Sequence, residues 1–192
     1  AVHEQIAVDF LTRGSINQYE IGTALMHAIL AKSVAPILKI SLHIVGVAHD
    51  DMKHLTDAMV WLPMMALESD QSILPDQPDT ELYLRLAQYK LASSSGKSDE
   101  ALKIINHIEH CLQEIEIPEL KQTAELLAYG IILNTIEIHI PSSRVVSLLS
   151  RMIDLFNSVD TFEEIREKFS FKKFTYYMNN SYMRFLYSWC II

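Results

Sequence analysis

LYLRLAQYKLASSSGKSDEALKIINHIEHCL, residues 82–112, is the stretch that decides the fold. Leu84, Ala87 and Leu91 recur at intervals of three and four, the period of an amphipathic helix. Ser94, Ser95 and Gly96 then supply turn chemistry, and Ala101, Ile105, Ile108 and Leu112 resume the same period. Two helices separated by so short a turn must lie side by side and antiparallel. The rest of the chain repeats the pattern. Ile6, Phe10 and Leu11 mark a helix over residues 2–13, and Gly14 breaks it. Ile21, Ala24, Leu25, Ala28 and Ala31 align over residues 17–32. Ser33 is placed to cap a third helix carrying Ile37, Ile40, Leu42, Ile44 and Val45 and apolar enough to be buried on most sides, with Pro36 tolerated in its opening turn. Asp50 or Asp51 opens a fourth to about residue 67, which Pro63 kinks or stops. After residue 78 the spacing predicts helices over 79–93, 98–114, 118–137, 142–159, 161–168 and 171–192, the first of them capped by Asp79. No run alternates over four to eight residues, so no strand is expected.

About ten helices in antiparallel pairs predict an all-α chain built as an α-solenoid, a compact bundle being the other packing of such pairs. Composition agrees. Apolar residues make up 49% of the 192, enough for a sizeable core, and only five are glycine. That scarcity excludes a turn-rich β-sandwich and a glycine-rich phosphate loop. Charged residues are 21%, unlike a disordered tail. A net charge of -8 argues against nucleic-acid binding by bulk electrostatics. Two cysteines, Cys111 and Cys190, build no disulfide framework, which makes a reducing cytoplasm the expected compartment. The apolar runs at 58–67 and 126–136 fall short of the ~20 residues that cross a bilayer. The stretch 69–77, rich in Ser, Asp and Pro, is the best boundary between two halves, 1–68 and 78–192, of a single helical-repeat domain. The chain begins without Met and stops on the apolar Trp189-Cys190-Ile191-Ile192, so a segment of a larger protein is expected.

The 82–112 stretch resembles one tetratricopeptide repeat, in which small residues let two helices approach and large ones fill the groove. It departs from the family in a longer loop and in Ala87-Gln88, which stand where the family carries an aromatic and a glycine. A second resemblance precedes it. Val2-His3 opens a helix; Ala24-Leu25-Met26-His27-Ala28-Ile29-Leu30-Ala31-Lys32-Ser33 follows, then Trp61-Leu62-Pro63, then the repeat. This order is similar to the helical arm after the winged helix in STAND-type signalling ATPases of the maltose-regulator kind. The resemblance covers about residues 2–112 and implies a sensor, scaffold or oligomerisation arm of a signalling or transcription-regulating protein, not a catalyst and with no cofactor of its own. The family's ATP-binding loop appears nowhere in the chain.

Other residues suggest chemistry. His49-Asp50, after the apolar run 44–48, is similar to the metal-binding pair of HD-type phosphohydrolases, with His27 as a first ligand and Asp99 or Asp154 as a last. The competing reading is a capping Asp after a surface His. His107 and Cys111 share a helix face at i and i+4, a spacing that suits a metal, with His110 adjacent. Yet Ile105, Ile108 and Leu112 define the buried face, which predicts His107 and His110 on a solvated one. No four-ligand spacing accompanies them, so no metal site is expected. The C-terminal segment differs in kind. Residues 162–192 hold ten of the seventeen aromatics, and five basic residues there face three acids, against eleven and twenty-one before. Lys172, Lys173, Tyr176, Tyr177, Tyr182, Arg184 and Trp189 are therefore the expected binding residues. Aromatic and arginine side chains anchor protein interfaces, and the same set stacks bases, which the acidic remainder disfavours. The expected partner is a protein, a peptide or a neighbouring domain, with no membrane.

Overall fold

The computed structural model describes residues 2–12, 18–46, 72–134 and 141–158. Among these there are seven helices and no strand: α1 (Val2–Thr12), α2 (Gln18–Ala31), α3 (Val34–Gly46), α4 (Pro78–Ser94), α5 (Ser98–Glu114), α6 (Pro118–Asn134) and α7 (Ser142–Ser158). The all-α expectation holds, with boundaries mostly within a residue or two of the spacing. The helices expected at 50–67, 161–168 and 171–192 lie outside the described residues.

The chain divides into two compact units, Ala1–Val145 and Val146–Ile192. In the first, successive helices pack as neighbours. α1 lies on α2, α2 on α3, and α1 also reaches α3. α4 lies on α5, α5 on α6, and α4 also reaches α6. α3 packs directly on α4, joining these two sets. In the second unit the described part of α7 buries Leu148, Met152 and Leu155, one stripe at helical spacing.

The expected apolar face of the repeat is the observed core. Leu84, Ala87, Leu91, Ala101, Ile105, Ile108 and Leu112 are all buried. α4, however, is buried on every side, from Thr80 to Ser93, with Tyr83 alone half-exposed. It is the central helix of the unit, clasped by α3, α5 and α6. Its start also differs from expectation: Gln77 occupies the N-cap position without a side-chain cap bond, and Pro78 opens the helix. Pro lacks an N–H that would be orphaned there in any case, and its fixed φ suits a first turn. Asp79 sits one residue further in, where it still favours the helix dipole.

Two corners close by the same device. At the end of α2 the amide of Ser33 donates to Ala28 O at 2.9 Å and that of Lys32 to Ile29 O at 3.0 Å. At the end of α4 the amide of Lys97 donates to Ala92 O and that of Gly96 to Ser93 O, both at 3.0 Å. Both are Schellman caps, which need a left-handed residue in the middle. Gly96 supplies it with φ +70°, and Lys32 with φ +50°. Ser33 then leads into α3, its carbonyl accepting from Ile37 N at 3.1 Å, and Pro36 is buried in the opening turn. Expected to be buried on most sides, α3 buries only the side of Ile37, Ile40 and Ile44; Leu42, two residues from Ile40 and so on the opposite side, is exposed.

Candidate functional site

Polar side chains buried inside an apolar helical core need a reason, because each must recover its lost hydration. The first described unit has one such cluster, where α4 meets α5. Glu81 and Arg85, one turn apart on α4, form an ion pair of 2.8 Å between Oε1 and Nε, and both are essentially excluded from water. Arg85 Nη1 also donates to Gln88 Oε1 at 2.8 Å. The second Glu81 oxygen accepts the amides of Leu74 at 2.9 Å and Ile73 at 3.1 Å. From α5, His107 Nε2 approaches Glu81 Oε1 to 3.5 Å. One carboxylate thus ties three parts of the chain together: its own helix, the strap at 72–77, and α5.

The electrostatics follow from this packing. Burial pushes the Glu81 carboxyl up, but His107, the Arg85 guanidinium and the Leu74 amide outweigh it, so the group titrates below the ordinary carboxylate value. Cys111, a turn beyond His107, goes the other way: burial, then the Glu81 charge, pushes its thiol up to about 12. A thiol so hard to ionise is a poor nucleophile and a poor metal ligand. Lys90 is buried where α4 meets α3, and its Nζ donates to Val45 O at 2.9 Å. Burial brings this amine down to about 8. A cation at the last turn of α3 also suits that helix's dipole. Tyr89 donates its hydroxyl to Ile132 O at 3.1 Å, pinning α4 to α6.

These residues brace the fold; among the described residues no three His, Cys, Asp or Glu side chains gather as a metal site. His107 corrects the expectation of a solvated face: it is buried, as is Cys111 beside it, and His110 is exposed. The physical reason is that α5 buries a wider stripe than Ile105, Ile108 and Leu112 define, because α4 lies along it and offers Glu81 as a polar partner for His107. Asp99 and Asp154, the candidate distal ligands, are both exposed. His27 lies on α2 with its ring stacked on that of His3. His49, Asp50 and the binding set Lys172, Lys173, Tyr176, Tyr177, Tyr182, Arg184 and Trp189 lie outside the described residues.

The Glu81–Arg85–Gln88 cluster was not anticipated from sequence. Its signal is present all the same: Leu82, Leu84 and Leu86 distribute leucine around the whole of α4, so charges spaced between them have no outer face to occupy. No described helix is long and apolar enough to cross a membrane. Comparison with protein-family models, with curated proteins and with solved structures finds no match for the chain.

Proposed function

We propose that this chain is a protein-interaction module of tetratricopeptide-like helix pairs, an α-solenoid that serves as the sensor or scaffold arm of a larger signalling protein. The observation that carries the reading is the packing order. Each helix meets the next and the next but one, in α1–α3 and again in α4–α6, as stacked repeats do when each unit contacts only its neighbours. The Schellman corner at Gly96 and the fully buried Leu84–Leu112 set support it locally. The chemistry of the core supports binding over catalysis. Glu81 and Arg85 are spent on one another, Lys90 is spent on a backbone carbonyl, and the thiol of Cys111 is held protonated.

Exposed apolar side chains mark where a partner would bind. Met26 and Leu30 lie one turn apart on α2, and Leu30 is 62% exposed. Val34 and Leu42 are exposed on α3. The aromatic and basic residues of 162–192 offer the second set of anchors, through Tyr176, Tyr177 and Trp189.

The test is affinity capture with the full chain, followed by binding of the purified captured protein. Loss of that binding in a Met26→Lys/Leu30→Lys variant or a Tyr176→Ala/Tyr177→Ala variant, with helicity unchanged, supports the reading. Stoichiometric Mn, Fe or Zn that disappears in His49→Ala together with phosphatase activity overturns it.

A further inference from the structure

A pair of histidines lies at the opposite end of the unit in sequence from the buried cluster, and what it can hold is independent of the binding function. His3 on α1 and His27 on α2 place their Nδ1 atoms 2.6 Å apart. Their rings stack with centroids 4.8 Å apart and planes 25° from parallel. The residues around them explain how the rings come so close. Ala7, one turn after His3, and Ala24 and Ala28, flanking His27, are fully buried at the α1–α2 contact. Alanine lets two helix backbones approach, and the histidines next to it are carried together at the rim, His3 exposed and His27 half-exposed.

Two imidazole nitrogens aimed at each other repel through their lone pairs. They tolerate this separation only when something positive lies between them, either a proton held by one ring or a cation held by both. From the geometry we propose that His3 and His27 form a two-imidazole site for a divalent transition-metal ion of the Cu²⁺, Ni²⁺ or Zn²⁺ class, clamping α1 to α2. Metal–nitrogen bonds of about 2.0–2.1 Å put two cis nitrogens on one ion about 3 Å apart, so the rings must part by about half an ångström and turn from their head-on contact until both lone pairs converge on the ion. Imidazole is the donor that these borderline ions prefer over the hard ions Mg²⁺ and Ca²⁺. No third His, Cys, Asp or Glu joins the pair among the described residues, so water fills the other positions. The site is therefore open to exchange. It differs from the HD-type set, in which His27 would ligate alongside His49 and Asp50.

The experiment is titration of the chelator-stripped full chain with Cu²⁺, Ni²⁺ and Zn²⁺, by calorimetry and, for Cu²⁺, by electron paramagnetic resonance. The expected result is one ion per chain, two nitrogen donors in the Cu²⁺ spectrum, and an affinity at least tenfold weaker in both His3→Ala and His27→Ala. His49→Ala should bind as the unmodified chain does. Circular dichroism separates lost ligation from lost folding, and His27→Gln supplies a second, milder variant should His27→Ala fail to fold. Failure of the unmodified chain to bind any of the three ions overturns the proposal. So does retention of full affinity in either histidine variant, and so does dependence on His49 in place of His3.

Discussion

The α2–α3 corner and the α4–α5 corner are built to one plan and stabilised by different means. Each ends its first helix in a Schellman cap and turns within a few residues into its second. The α4–α5 pair uses glycine at the left-handed position and buries a carboxylate, a guanidinium, an amide and an imidazole between and beside its helices. The α2–α3 pair uses lysine there, and its interior is apolar apart from Ser33 at the corner and Ser41, whose hydroxyl finds no hydrogen-bond partner among the described residues. The difference follows from position. α4 is central and must answer to three helices and the 72–77 strap, which call for directional bonds. α2 leaves one side to solvent and buries mainly apolar side chains, Ile21, Ala24, Leu25 and Ala28.

Removing Arg85 separates the two corners most sharply. Deleting one partner of a buried pair leaves the other charge uncompensated, so Arg85→Ala should cost about 3–5 kcal/mol in denaturant unfolding. A charge change of similar size on the α2–α3 pair, such as Lys39→Ala on the exposed side of α3, should cost well under 1 kcal/mol. The acid limb supplies a second reading of the same site. Glu81 titrates lower folded than unfolded, so its contribution is complete above the unfolded value and is lost as pH falls below about 4.5. Glu81→Gln should remove that part of the slope. An acid limb identical in both chains would show that the carboxylate is not bonded as described.

Lys90, which joins the two corners, comes next. Its amine titrates at about 8 when folded and 10.5 when unfolded, because burial disfavours the charge. The unfolded chain therefore binds the extra proton between those values, and stability rises with pH across the window. The difference in unfolding free energy between the unmodified chain and Lys90→Met should grow in favour of the unmodified chain by up to roughly 3 kcal/mol from pH 8 to 10.5. Cys111 titrates in both chains and drops out of the difference. A difference that stays flat with pH would mean that the amine reaches water.

How much of this was legible beforehand depends on what each residue's neighbours are. The helices were, because their period is a local property: 84–112 alone spells two of them and the turn. Pro78 as a first residue was obscured by Asp79, since both satisfy a helix start and only the backbone angle decides. The burial of His107 was not legible, because the width of the α5 stripe is set by α4, not by α5. The meeting of His3 with His27 depends on the crossing of α1 and α2, over 24 residues of sequence, and no spacing rule encodes it.

Gly96 is the third point of attack. A Cβ there meets nothing within 4 Å, so Gly96→Ala carries only the cost of a left-handed backbone at φ +70°. That cost is about 1–2 kcal/mol, offset in part by the stiffer unfolded chain. A net loss of about 1 kcal/mol is expected from thermal or denaturant unfolding. A stabilised variant would mean that the corner closes some other way in solution.

Lys32 gives the mirror of that experiment and the smallest effect. It holds φ +50° with its side chain exposed, so nothing beyond its amide bonds to Ile29 and the cap as a whole keeps it there. Lys32→Gly relieves the Cβ strain and gains the flexibility that glycine adds to the unfolded chain, two changes of opposite sign and similar size. The strain term is the larger at a left-handed position, so a gain of about 0.5 kcal/mol is expected. Lys32→Ala keeps the strain and should leave stability unchanged within about 0.5 kcal/mol, which separates the backbone effect from any loss of lysine charge near the α2 C-terminus. If glycine and alanine behave alike at residue 32, the two corners do not share a cap, and the likeness between the helix pairs ends at their packing.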